Sequence, residues 1–232
     1  MFKIKLNNNK TFTCDKDSTI FEAAKKNNIV LEHSCLSSRC RSCMVKVLSG
    51  NTINKEVELV LTEEDKNENF VLSCNAKPLS DLELDIEDLG EITLFEKKII
   101  PSKISVIEKL TDDVIKVVLR LPPNSNFNFN SGQYVNIIKG NLTRSYSIAN
   151  SSDHKNQLEF FIKNYENGLM SAYFFKEAKI NDLLRLEGPT GTFFIRDSSF
   201  KNIVFLATGT GIAPVKSILE GLDKSHEQYQ NK

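Results

Sequence analysis

Residues 2–6, FKIKL, alternate apolar and polar side chains with the period of a half-buried strand, and the following NNNK supplies a turn. KTFTC (10–14) repeats the alternation and predicts the returning strand. DSTIFEAAKKNN (17–28) changes to helical spacing: Ile20, Phe21, Ala23 and Ala24 form one apolar side, with Asp17 or Ser18 expected as the N-cap. MVKVLSG (44–50) is again strand and turn, TEEDKNEN (62–69) a short helix, and LELDI (82–86) a closing strand. Two hairpin strands, a crossing helix and further short strands predict a small α+β sheet of the β-grasp kind.

EDLGEITLFEKKIIP (87–101) reads as a connector. Evenly spaced strands follow at SKISVIEKL, VIKVVLRL, GQYVNII, RSYSIA and LEFFIK, separated by Pro, Asn and Gly turns, which predicts a small antiparallel barrel. GLMSAYFFKEA (168–178) is a short helix. NIVFLATGTGIAPVKSILEGL (202–222) then gives an apolar strand, a glycine turn and an amphipathic helix, the first half of a βαβ unit. The expected organisation is thus 1–90, a linker over 91–100, a barrel over 101–198 and an incomplete α/β nucleotide-binding domain over 199–232. The chain is expected to be a truncated product or fragment, because a parallel sheet would need many more residues.

Composition narrows the function classes. Thirty basic and thirty acidic side chains leave no net charge in 232 residues, so nothing points to a nucleic-acid partner. No run of eighteen apolar residues is present and MFKIKLNNNK lacks an apolar signal core, so no membrane role and a cytoplasmic location are expected. Five cysteines in such a setting favour metal-ligand or redox use over a disulfide framework.

Three of those cysteines, Cys35, Cys40 and Cys43, lie in SCLSSRCRSC, and Cys74 follows thirty-one positions on in VLSCNAK. C-x4-C-x2-C with a distant fourth cysteine is the plant-type [2Fe–2S] spacing, in which a tight loop gathers three thiolates and a remote strand brings the fourth. A four-cysteine zinc site usually shows two C-x2-C pairs, and only Cys40 and Cys43 form one. A redox dithiol would want a βαβ context, and a Rieske centre two histidines where only His33 is near; unliganded structural thiols are the remaining reading. Cys14 reads as a core thiol and His33 as a loop side chain.

TRSYSIAN (143–150) places Arg144 and Tyr146 on one face of a strand and Ser147 on the other. A flavin needs a cation for its phosphates, an aromatic face for its ring and a hydrogen bond near N5, and these three residues can supply them; a tyrosine packed in a barrel strand would look the same. Gly168 and Ser171 open a helix whose free N–H groups suit a pyrophosphate.

Residues 1–90 resemble plant-type ferredoxin domains. One departure is visible: those loops commonly carry glycine or another small residue around the second cysteine, where this chain has Ser38 and Arg41. The ordered motifs GQY, RSYS, GLMS, GPTG and the glycine strand-turn-helix, from about 101 to 221, resemble the ferredoxin–NADP reductase superfamily. The resemblance implies FAD, with Arg144 on its phosphate, Tyr146 on the isoalloxazine, Ser147 near N5, and Gly168, Met170 and Ser171 at the phosphate-binding helix start. It also implies NAD(P)H beside Thr208, Gly209, Thr210 and Gly211. Tyr146 and Ser147 would be the catalytic pair, and electrons would pass from NAD(P)H through FAD and the cluster to a protein acceptor. The run from KKIIPSKIS to IVFLATGTGIAPVKS is most similar to the branch whose acceptor is a pyridoxamine-phosphate-dependent CDP-6-deoxyhexose dehydrase of dideoxysugar (O-antigen) synthesis. An oxygenase reductase, or a carrier remnant without NAD(P)H activity, is the alternative.

Overall fold

The computed structural model describes residues 1–90, 92–154, 156–196 and 202–225, and the chain divides into two compact units, Met1–Thr93 and Leu94–Lys232.

In the first unit, β1 (Phe2–Leu6) pairs antiparallel with β2 (Thr11–Cys14), then α1 (Ile20–Lys26) crosses to β3 (Met44–Ser49). β4 (Thr52–Asn54), α2 (Glu63–Asn67), β5 (Phe70–Leu72), β6 (Ala76–Pro78) and β7 (Leu82–Asp85) complete it. The main sheet has the order β2-β1-β7-β3-β5, with β1 and β7 the parallel central pair, and β4 and β6 form a separate two-stranded sheet. α1 buries Ile20, Ala23 and Ala24 against Ile4, Leu6, Val45 and Leu84, the alternate residues of the strands beneath. This is the expected β-grasp.

The α1 cap differs from expectation. Thr19, not Asp17 or Ser18, is the N-cap: its hydroxyl accepts the Glu22 N–H and the Glu22 carboxylate accepts the Thr19 N–H. That reciprocal pair satisfies two otherwise orphaned donors, and the T-I-F-E spacing that encodes it outweighs the preference of Asp or Ser for a cap. Cys14 is fully buried in this core, where desolvation pushes its thiol up to about 11. His33 lies in the irregular segment after α1, as expected of a loop side chain, and is buried there, tilted on Phe21 with ring centroids 4.8 Å apart.

The second unit is one six-stranded antiparallel sheet. Its strands are β8 (Lys98–Lys109), β9 (Val114–Arg120), β10 (Tyr134–Lys139), β11 (Leu142–Ser147), β12 (Gln157–Lys163) and β13 (Leu183–Thr190), in the order β11-β10-β13-β8-β9-β12. The sheet curls on itself: beyond the end of β11 the Ala149 N–H donates to Glu159 O on β12 at 2.8 Å, and Asn150 Oδ1 accepts the Glu159 N–H at 2.7 Å. Inward residues such as Ile104, Val117, Val135, Ile137, Leu158 and Phe160 are fully buried. α3 (Leu169–Lys176) plugs one end with Met170, Tyr173 and Phe174.

Past the barrel, the strand expected at 203–207 is not formed. Residues 202–208 pair with no strand among the described residues, and Val204 and Leu206 are 82% and 92% exposed. A strand is stabilised by its ladder, and no parallel neighbour is at hand to complete one. The helix does form: α4 (Ile212–Ser225) seats Ala213, Val215 and Ile218 on the barrel. Its Ser217 hydroxyl donates to Asn150 O at 2.7 Å, and Lys216 Nζ reaches Ala149 O at 3.1 Å and Glu159 at 3.2 Å. Residues 197–201 and 226–232, parts of the domains read as 101–198 and 199–232, lie outside the described residues.

Candidate functional site: a thiol loop and a flavin strand

The thiol loop lies between α1 and β3. Leu36 and Ser38 take left-handed backbone angles, φ 52° and 56°, so the chain coils tightly enough to turn N–H groups inward. Ser37 and Arg39 N–H groups point at Cys35 Sγ at 3.4 and 3.3 Å. The left-handed turn that glycine commonly serves is therefore preserved at Ser38, at the steric cost a Cβ brings there. Cys43 is buried, and its sulfur lies 3.3 Å from that of Cys74, which the end of β5 delivers from thirty-one residues away. Leu61 and Leu72 pack around Cys43, with Val60, Met44 and Cys74 at the margin.

The thiols respond to this placement. The Cys43 thiol donates to Cys74: the hydrogen bond and burial hold Cys43 far above its ordinary value, while the same bond draws Cys74 down to about 6. At Cys35 burial works upward, but the Ser37 and Arg39 N–H groups and the Cys40 thiol outweigh it, and the net shift is downward. All five cysteines are free thiols. Among the described residues no three His, Cys, Asp or Glu side chains converge as a site for one metal ion. The Cys43 and Cys74 sulfurs are in contact, and Cys40 is near enough to Cys35 to help lower its thiol. A donor set of four thiols, three from one tight loop and one from a distant strand end, with backbone N–H groups on the sulfur, fits a binuclear iron–sulfur cluster and suits a single tetrahedral zinc less well.

Arg41, the second departure, is fully engaged. Its guanidinium donates to both carboxylate oxygens of Asp65 at 2.7 Å and to Val60 O at 3.1 Å. Asp65 is the third residue of α2 and closes that helix's capping box with Thr62. The Arg41 fork and the Thr62 N–H hold the Asp65 carboxyl far below the usual carboxylate range. Glu58, 8% exposed, accepts the Val60 and Leu61 N–H groups at 2.6 Å and fixes the approach to α2. Together these bonds tie segment 58–67 to the thiol loop. Arg41→Ala is expected to speed amide hydrogen exchange in 58–67 by about three- to tenfold while β1 and β3 are unchanged, a bidentate fork being stronger than the usual surface pair. Unchanged exchange in 58–67 would show that the fork holds nothing.

In the second unit the short motifs converge. Arg144 and Tyr146 stand opposite Ile137 and Val135 on β10, and Ser147 opposite Tyr134, so the two faces are divided as the alternation predicts. Tyr146 is half-buried, edge-on to Phe174 of α3 at 6.2 Å, and burial pushes its hydroxyl up to about 12. Arg144 is exposed, with one N–H on Thr143 O at 2.7 Å. Gln133 donates to Gly191 O at 2.8 Å, joining the GQY and GPTG motifs, and a Cβ on Gly191 (φ 94°) would meet the Tyr134 ring at 3.1 Å.

Gly168 is the N-cap of α3 and carries no capping side chain, which leaves the first-turn N–H groups free for an anion. A Cβ at Gly168 would lie 2.4 Å from Ser171 Oγ. Ser171 and Met170 are buried; the serine hydroxyl closes the 165–168 turn, donating to Gly168 O at 2.9 Å and accepting the Tyr165 N–H at 3.2 Å. What these two residues can offer a phosphate is backbone. Tyr165, 63% exposed on the turn that Ser171 closes before α3, is a candidate site residue that the sequence pattern alone did not single out. An exposed aromatic just before a helix start was the available signal. The strand, the uncapped helix and the two tyrosines fit a dinucleotide flavin. Thr208 to Gly211 form an open 3-10 turn at the start of α4, with nothing within 4 Å of a Cβ placed on either glycine.

Comparison with known proteins finds a described family over each unit. Residues 4–79 match the family described as "2Fe-2S iron-sulfur cluster binding domain", and residues 101–195 match "Oxidoreductase FAD-binding domain". The chain belongs to the ferredoxin-fused reductases of the ferredoxin–NADP reductase superfamily. It is 42% identical over 219 residues to a Yersinia pestis "CDP-6-deoxy-L-threo-D-glycero-4-hexulose-3-dehydrase reductase", covering 94% of this chain and 66% of that protein. It is 41% identical to "Protein RfbI" of Salmonella typhimurium, covering 91% and 62%. A solved "Ferredoxin reductase in carbazole 1,9a-dioxygenase" aligns over 97% of this chain and 71% of its own, with TM-score 0.60 and 26% identity. The chain therefore spans about two thirds of the length of its curated relatives. No helix among the described residues is long and apolar enough to cross a membrane.

Proposed function

We propose that this chain is the iron–sulfur flavoprotein part of a cytoplasmic reductase that delivers electrons from NAD(P)H to a sugar dehydrase. The observation that carries the proposal is the presence, in one chain, of a three-thiol loop joined by a fourth thiol from a strand end and an R-x-Y-S strand beside an uncapped helix. Cys35, Cys40, Cys43 and Cys74 are the proposed cluster ligands. Arg144 and the first-turn N–H groups after Gly168, including those of Met170 and Ser171, would hold the flavin phosphates; Tyr146 would cover the ring and Ser147 would face N5. Thr208, Gly209, Thr210 and Gly211 would receive the nicotinamide nucleotide. When bound, a flavin exchanges electrons in pairs with a nicotinamide and singly with a [2Fe–2S] cluster, so the protein's task is placement and electrostatics.

The 42% identity to a Yersinia pestis dehydrase reductase supports a dehydrase as acceptor, and we place a pyridoxamine-phosphate-dependent CDP-6-deoxyhexose dehydrase there. The oxygenase alternative rests on weaker likeness, such as 28% identity to a Pseudomonas putida naphthalene dioxygenase reductase component. The test is anaerobic addition of NADH, then NADPH, to the cofactor-loaded chain. Bleaching of the flavin absorbance by at least one nucleotide, with electrons then passing to the dehydrase, is expected. If neither bleaches it, the reductase reading of this chain falls and an electron carrier without NAD(P)H activity remains.

A further inference from the structure

On the outer face of the barrel lies a cavity of about 600 Å³ that none of the proposed cofactors uses. Its floor is one row across four strands. Gln157 on β12 is in register with Arg120 on β9, Arg120 with Lys103 on β8, and Lys103 with Leu183 on β13. Residues in direct register point to the same face, and the alternation fixes which one. Leu119, Ile104, Leu158 and Leu184, each next in sequence to a member of the row, are buried inside the barrel, so the row faces out. Pro122 and Pro123, which follow β9, line the same cavity.

Two cations standing opposite each other are unfavourable without counter-charge. Neither Lys103 nor Arg120 has an ion-pair or hydrogen-bond partner for its side chain among the described residues. Two other lysines of these strands are matched, Lys116 by Glu108 and Lys109 by Asp112. The flavin residues lie elsewhere. Arg144 and Tyr146 share the face of the buried Ile137 and Val135, and α3 starts beyond the far end of β12, a strand roughly 20 Å long at 3.3 Å per residue.

We propose that this cavity binds a phosphorylated small molecule of the nucleoside diphosphate class. The adjacent ammonium and guanidinium groups would grip the diphosphate, Arg120 with its planar fork. Leu183 and the rigid proline pair offer an apolar wall for a flat ring, and the Gln157 amide offers hydrogen bonds to its edge. The volume lies within the ~300–1,000 Å³ typical of small-molecule pockets. A concave site of this size, with a flat apolar side, favours such a ligand over an acidic protein surface.

The test is calorimetric titration of the flavin- and cluster-loaded chain with CDP, ADP and inorganic pyrophosphate at low salt. Saturable binding of at least one nucleoside diphosphate is expected, with pyrophosphate weaker because it lacks the ring. Lys103→Ala and Arg120→Ala are each expected to weaken binding about tenfold or more, the usual effect of losing a charge-assisted bond, and Arg120→Lys to recover part of it. Flavin content and near-ultraviolet circular dichroism of the variants should match the parent, since the side chains face outward. Three results overturn the proposal: no saturation with any of the probes, binding of pyrophosphate as tight as that of the nucleotides, or nucleotide binding that Lys103→Ala and Arg120→Ala leave intact. The last would place the nucleotide in the flavin or nicotinamide region.

Discussion

Cys74→Ser should yield a folded chain that retains flavin but has lost its iron and the visible absorbance of a cluster. Cys74 is the one proposed ligand that a distant strand end supplies, and its sulfur lies 3.3 Å from the Cys43 sulfur. The three remaining thiols sit in a loop of residues 35–43 that leaves half of one sulfur pair without its partner. Serine is similar in size, so the core around Leu61 and Leu72 should stay intact. Cys14→Ser is the contrasting variant. Cys14 is fully buried under α1 and belongs to no sulfur pair, so its replacement should cost stability through a buried hydroxyl while iron content stays at the parental value. Iron analysis of the two variants separates ligand from core thiol. Retained iron in Cys74→Ser, or lost iron in a folded Cys14→Ser, would reverse the assignment.

The largest stability loss should come from Phe160→Ala. Phe160 is fully buried on β12, flanked inward by Leu158 and Ile162 and paired in register with Val117. Truncating a buried phenylalanine typically costs about 3–5 kcal/mol, which for a unit of this size lowers the melting temperature by roughly 10 °C or more. The consequence reaches the flavin strand, because Glu159, the preceding residue, accepts the Ala149 N–H and donates its own N–H to Asn150 Oδ1 just after Ser147. Weaker FAD retention should therefore accompany the lower melting temperature. Phe161→Ala, on the half-buried outer face of the same strand, should cost far less. Calorimetry of both variants checks this; equal losses would mean that β12 does not face the core as described.

The features legible in the sequence were those with local codes. The C-x4-C-x2-C spacing, the R-x-Y-S alternation and the glycine before α3 each constrain a few adjacent residues, and the structure places each on the expected kind of element. Strand β13 was missed although it sits between β10 and β8. LLRLEGPT does alternate, burying Leu184 and Leu186, but its glycine and proline read as turn chemistry. The apolar run at 203–207 was overread for the converse reason: apolar composition favours a strand, but only a neighbour makes one. The Arg41–Asp65 fork was invisible because its partners lie twenty-four residues apart and meet only through tertiary folding. The same holds for the Lys103–Arg120 row, which depends on the register of four strands.

On this reading one chain holds a one-electron and a two-electron centre. Anaerobic titration of the cofactor-loaded chain with dithionite, followed by absorbance, tests it most directly. Uptake of about three electron equivalents per chain is expected, two at the flavin and one at a binuclear cluster, with Cys74→Ser taking up about two. Uptake of only two by the parent chain, or an unchanged count in Cys74→Ser, would contradict it.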